Sequence, residues 1–285
     1  MADFFRNLVE DMKDEDTNIM GDGKGSAEYS GTVDSGSYML NAVLSGSIFG
    51  GVPNNKITAF AGESATGKTF FVLGVVKQFL QDNPDGGIVY YDTEAAVTKQ
   101  MMEERGVDTS RVIISEPDTI QKFRTHAMKT IDMYEKSPDR PPMMFILDSL
   151  GLLSTEKEVA DTAEGKDVRD MTKSQLIKGA FRVLTLKLAK IGVPMIVTNH
   201  VYEVIGSYMP QKEMGGGSGG LDRYYGLLEF GEKHGIFKKS GNRYEMGESK
   251  LYGKQILKDP EKYFTEEVLK QIDEKVSQEF KYGTA

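Results

Sequence analysis

The sequence predicts an α/β fold: a mainly parallel sheet between helices, followed by a small helical domain at the C-terminus. Three observations predict it. Short apolar runs at 56–61, 88–92, 111–115, 143–148 and 194–199 alternate with amphipathic stretches, the pattern of a parallel sheet covered on both faces. The first run leads into Gly62-Glu63-Ser64-Ala65-Thr66-Gly67-Lys68-Thr69 and then an apolar stretch at 70–80, which is the strand, glycine-rich loop and helix of a P-loop. Beyond the glycine run at 215–220 the alternation gives way to helical spacing with one hairpin.

The chain has 285 residues, net charge −8 and no cysteine. Disulfides and thiolate metal sites are thereby excluded, and an intracellular setting fits. His126, His200 and His234 lie far apart, which speaks against a histidine-based zinc site. No apolar run approaches the ~18 residues of a membrane helix, and Met1 to Arg6 is too polar and acidic for a signal peptide. The acidic balance argues against a uniformly basic nucleic-acid binder and leaves one whose cations gather on particular loops.

In chain order, 1–20 reads as a helix with Phe4, Phe5, Leu8, Val9 and Met12 on one face. That face docks either on a neighbouring subunit or on the chain's own core. Glycines 21, 23, 25, 31 and 36 mark 21–37 as a linker. A short helix at 37–45 and a turn at 50–53 precede the P-loop strand. Asn83-Pro84-Asp85-Gly86-Gly87 is a turn before strand 88–92. Helix 98–105, strand 111–115 and an amphipathic helix at 119–136 follow, then strand 143–148, a long helix at 170–191 and strand 194–199. After the glycine run, 221–235, 251–258 and 265–280 read as helices, with a hairpin turn at 238–242.

The chemistry sits at strand ends. In a P-loop, main-chain N–H groups and the helix N-terminus receive a polyphosphate; Lys68 reaches the β and γ phosphates and Thr69 coordinates Mg²⁺. Asp148 ends an apolar strand, the place of the carboxylate that orders the Mg²⁺ shell; a turn-capping role is the plainer alternative. Asp92 and Glu94 both end strand 88–92, and either could polarise an attacking water or be a solvated strand end. Asn199 and His200 could sense the γ-phosphate, against a structural role for the histidine. The stretches 154–169 and 201–220 are long for idle connections. Lys166, Arg169, Tyr202, Tyr208, Lys212, Gly215 and Gly216 suit single-stranded DNA, through phosphate charge, stacking and close backbone approach, against plain solvated surface.

The chain resembles the recombinases of the RecA family, and among them the phage UvsX-type branch. The resemblance rests on Leu44-Ser45-Gly46 to Gly51, Gly62 to Thr69, Tyr91-Asp92-Thr93-Glu94, Gly106-Val107-Asp108, Phe145 to Gly151, Asp170-Met171-Thr172, Thr198-Asn199-His200, and Tyr225 to Leu228 through Gly253-Lys254. It implies a P-loop RecA-like core that uses ATP and Mg²⁺, forms filaments on single-stranded DNA, and drives pairing and strand exchange with homologous duplex DNA. Recombination mediators or single-strand-binding proteins are the implied further partners, and the cytoplasm, of a host cell if the gene is a phage's, the implied location. Residue by residue it makes Glu94 the catalytic carboxylate, His200 the γ-phosphate sensor, and 154–169 and 201–220 the DNA loops. It also makes 1–37 a polymerisation arm, 38–220 the ATPase core and 221–285 the small C-terminal domain. Two departures stand out. Met101 replaces a tyrosine that relatives often place over the adenine. The helix and strands that follow the second DNA loop in relatives have no counterpart between Gly216 and Leu221, so the core should lack its last strands. A nucleotide-binding assembly module without hydrolysis, or a shortened variant of the recombinase, is the alternative function, and a hexameric helicase a more distant one.

Overall fold

The computed structural model describes residues 2–14, 17–22, 31–166, 170–201, 222–246 and 249–280. Helix α1 (Ala2–Met12) ends earlier than its sequence pattern suggested and leaves Phe4, Phe5, Leu8 and Met12 exposed. Strand β1 (Thr32–Val33) leads into α2 (Tyr38–Ser45), which Ser37 caps and Gly46 ends. Strand β2 (Val52–Pro53) then pairs antiparallel with β1. A two-stranded ladder therefore stands where linker and turn were expected.

The core follows in the expected alternation. It comprises β3 (Ile57–Gly62), α3 (Lys68–Asp82), β4 (Gly87–Asp92), α4 (Lys99–Glu104), β5 (Val112–Ser115) and α5 (Ile120–Lys136). Next come β6 (Met143–Asp148), α6 (Glu156–Ala163), α7 (Lys173–Ile191) and β7 (Met195–His200). The five strands pair parallel in the order β3-β7-β6-β4-β5. Side chains alternate across the sheet, so even and odd positions enter different layers. Ile88, Tyr90, Met144, Ile146 and Ile196 pack with Val72, Leu73, Val76 and Phe79 of α3. Val89, Tyr91, Phe145, Leu147 and Val197 pack with Phe123 and Ile131 of α5 and Leu184 and Leu188 of α7. Each fully buried side chain of this size contributes about 1.5–3 kcal/mol over an exposed one. Two covered faces explain why these strands are continuous apolar runs.

The sheet has two edges. At one, β5 exposes Ile113 and Ile114. At the other lies β3, the strand that feeds the glycine-rich loop, paired to β7 alone among the described residues.

The C-terminal part departs from its reading. Helix α8 (Leu227–Lys233) is short, because Gly226 at φ 85° interrupts 221–235. The hairpin is a three-stranded antiparallel sheet of β8 (Lys238–Ser240), β9 (Arg243–Met246) and β10 (Ser249–Tyr252). The helix predicted at 251–258 shrinks to α9 (Gly253–Ile256), and α10 (Pro260–Tyr263) precedes α11 (Glu266–Glu279). This part shares an apolar cluster with α2 and the turn after it: Tyr38, Ala42 and Ile48 join Leu227, Ile272 and Val276. Asp273 Oδ1 accepts the Ser47 hydroxyl at 2.7 Å and the Ile48 N–H at 2.8 Å.

Candidate nucleotide site

Gly62 ends β3, and Gly67 at φ 86° starts α3 with no side-chain cap. A residue with a Cβ would be strained in that conformation. The uncapped helix start leaves its first N–H groups for an anion, with the helix dipole behind them. Ala65 at φ 62° holds a left-handed conformation rare outside glycine, and the Thr66 hydroxyl donates to the Glu63 carbonyl at 2.8 Å to close the turn. Ser64, Ala65 and Thr66 are exposed along the loop. Lys68 curls over it: Nζ donates to the carbonyls of Gly62 at 3.0 Å and Glu63 at 2.7 Å. Gly62 to Thr69 thus form one cradle of main-chain donors with a cation across its mouth.

The carboxylates divide by geometry. Asp92 is 2% exposed and accepts the N–H groups of Glu94 at 3.0 Å and Val97 at 2.9 Å. It shapes the turn that presents Glu94. Glu94 itself reaches across β6 to β7, where its Oε1 lies 2.7 Å from His200 Nε2. With Nε2–H donating to that carboxylate, Nδ1 is the acceptor in the neutral ring, and it lies 3.3 Å from Lys68 Nζ. A chain Lys68–His200–Glu94 results. Partial burial pushes the Glu94 carboxyl up. The hydrogen bond from His200 and the nearby positive charge of Lys68 oppose this, and the carboxyl is held below the usual glutamate value.

Asp148, at the end of the central strand β6, is 3% exposed and receives three hydroxyls. Thr69 donates to Oδ2 at 2.7 Å, Tyr90 to Oδ2 at 2.8 Å and Thr198 to Oδ1. Because the Thr69 proton is committed to Asp148, the lone pairs of its oxygen are left for a cation. Among the described residues no group of three or more His, Cys, Asp or Glu could hold a metal. A hydroxyl plus one carboxylate is the donor set Mg²⁺ uses when phosphates and water complete its shell, so Thr69 and Asp148 fit that ion. Sequence reading missed Tyr90 and Thr198. Both sit inside apolar strands, and only the sheet order brings them to Asp148.

The expected DNA contacts are mostly outside the described residues: Arg169, Tyr202, Tyr208, Lys212, Gly215 and Gly216 all lie there. Lys166 is exposed and paired with Glu164 at 2.5 Å. The stretch 154–169 is not the plain loop it was read as. It contains α6, whose Thr155 and Glu158 form a capping box. Its neck is closed where the Thr155 hydroxyl donates to Asp170 Oδ2 at 2.7 Å. Met101, at the position expected to face adenine, packs half-buried against the α3 layer.

The family model of the RecA N-terminal domain matches residues 9–240. The chain is similar to the recombination and repair protein of Enterobacteria phage T4, 32% identical over 181 residues, 64% of this chain and 45% of that protein. It is also similar to protein RecA of Malacoplasma penetrans, 23% identical over 209 residues, covering 73% and 59%. Protein RecA of Corynebacterium urealyticum is 25% identical over 310 aligned positions, covering 88% and 78%. The chain therefore spans about half the length of the first two relatives. The last alignment spreads 88% of a 285-residue chain over 310 positions, so that relative carries roughly sixty positions without a counterpart here. A family match over most of the chain, joined to a parallel five-stranded sheet with the glycine cradle at its strand ends, shows that the chain belongs to the RecA family.

Proposed function

We propose that this chain is the nucleotide-binding core of an ATP-dependent DNA recombinase, which assembles on single-stranded DNA and promotes pairing and strand exchange with homologous duplex. The observation that carries the reading is the chain Lys68–His200–Glu94, which links the phosphate cradle to a carboxylate and then to the segment after β7. Lys68 and the N–H groups of 62–69 bind the triphosphate. Glu94, kept ionised, accepts a proton from the attacking water. His200 touches both Lys68 and Glu94, so a γ-phosphate that draws Lys68 away changes what His200 holds. Mg²⁺, bound by Thr69 and ordered by Asp148, would supply positive charge to the phosphate oxygens. Lys166, Arg169, Tyr202, Tyr208, Lys212, Gly215 and Gly216 are the proposed DNA contacts. The apolar face of α1 and the exposed Ile113 and Ile114 on β5 are two different patches on one chain. Head-to-tail contact between such patches makes filaments rather than closed dimers.

One observation favours a second reading, a nucleotide-binding assembly module without turnover. The P-loop strand is a sheet edge among the described residues, and relatives carry positions absent here. The two readings separate in one experiment: nucleotide affinity and ATP turnover, each with and without single-stranded DNA. DNA-stimulated turnover supports the recombinase; tight binding with no turnover supports the module; no binding overturns both.

A further inference from the structure

We propose that Tyr90 and Thr198 are positioning residues that fix the Asp148 carboxylate from both sides and so set the affinity of the site for Mg²⁺. The proposal rests on the reading of Thr69 and Asp148 as the Mg²⁺ site. Sheet order and side-chain alternation bring the three together. Asp148 closes the central strand β6, β4 and β7 flank it, and residues 90, 148 and 198 share the face that looks toward α3. Tyr90 hydrogen-bonds Oδ2 at 2.8 Å, and Thr198 hydrogen-bonds Oδ1.

Both hydroxyls are fully buried. A buried hydroxyl without a partner is costly, and an apolar side chain would suit either position in the strand. At 2.8 Å the Tyr90 hydroxyl is the donor and the carboxylate oxygen the acceptor. With one donor on each oxygen, the carboxylate cannot turn about its bond to the chain. The Thr69 hydroxyl, also on Oδ2, is thereby held in one orientation. Partners of this kind around a metal site typically change metal affinity about 10–100-fold when removed.

The test is a Mg²⁺ titration of the binding of a fluorescent ATP analogue. It compares the parent chain with Tyr90→Phe, Thr198→Val, the double variant and Thr198→Ser, with Asp148→Asn as reference. Tyr90→Phe keeps the ring in its layer, and Thr198→Ser keeps the hydroxyl. Affinity in EDTA should stay within about twofold of the parent for the Tyr90 and Thr198 variants, which also certifies the fold. The Mg²⁺ concentration for half-saturation should rise about tenfold in Tyr90→Phe and Thr198→Val, further in the double variant, and stay at the parent value in Thr198→Ser. If Asp148→Asn shifts the Mg²⁺ requirement but the double variant does not, the positioning role is overturned while the metal site stands. If Asp148→Asn shifts nothing, the metal assignment itself fails and the proposal with it. If the variants lose affinity equally in EDTA and in Mg²⁺, the hydroxyls serve packing only, which also overturns it.

Discussion

Replacing Glu94 with Gln removes a charge and a base and leaves the shape. The amide carbonyl can accept the same bond from His200 Nε2, and Asp92 still holds the N–H groups of residues 94 and 97. Loss of a general base costs about 10²–10⁴ in rate, or about 3–5 kcal/mol of transition-state stabilisation. Binding should behave differently. The Glu94 carboxylate interacts with the Lys68 charge, so its removal leaves more of that charge for phosphate. Nucleotide affinity should therefore stay equal or tighten. The assay pairs phosphate release at saturating ATP and single-stranded DNA with binding of a fluorescent ATP analogue. Turnover within about threefold of the parent would refute the assignment of Glu94 as base, since that is well under 1 kcal/mol. So would a variant whose affinity falls while its turnover number holds.

Three other outcomes are expected. The Asp170 carboxyl is held at about 2, against an ordinary 3.8, by the Thr155 hydroxyl first and then by the Thr172 N–H and hydroxyl. A folded value below the unfolded one means the stabilisation is full above pH 3.8 and is lost as pH falls toward 2. The gap in urea midpoint between the parent and Asp170→Asn should therefore close across that window; a gap independent of pH would contradict it. In Gly231→Ala the added Cβ would run into the ring of buried Phe237. That overpacking should cost about 1–3 kcal/mol in urea unfolding with nucleotide affinity unchanged, and an unaltered midpoint would count against the packing described. Phe5→Glu places a charge on the exposed face of α1. Light scattering should show assembly lost while nucleotide affinity holds, and assembly at the parent's level would remove α1 from the interface.

The parts of this molecule that were legible in the sequence are those with a local signal. Lys68 and Thr69 follow an apolar strand and open a helix, so spacing alone located the cradle, and Asp148 stands at the polar end of an apolar run. The choice between Asp92 and Glu94 was not local. It turns on which carboxylate is consumed by main-chain N–H groups and which reaches His200 on another strand. Tyr90 and Thr198 were hidden for the same reason, since a hydroxyl within an apolar run carries no sign of a neighbour 58 or 50 residues away in sequence. Some signals were present and unread. Thr155 and Glu158 stand at capping-box spacing and announce α6 inside what was read as a loop. Gly226 announces the break that shortened helix 221–235. The ladder of β1 with β2 joins two-residue strands, too short for any periodicity to show.

The most direct measurement is the affinity of the full chain for a fluorescent ATP analogue with Mg²⁺, before and after Lys68→Ala. Lys68 Nζ spans the mouth of the cradle at Gly62 and Glu63, and hydrogen bonds to charged groups contribute about 1.5–3 kcal/mol each. Lys68→Ala should weaken binding by more than about tenfold while the urea midpoint stays near the parent's. Unchanged affinity in a folded Lys68→Ala would mean that the triphosphate is not held at 62–69, and the function proposed for this chain would fall with it.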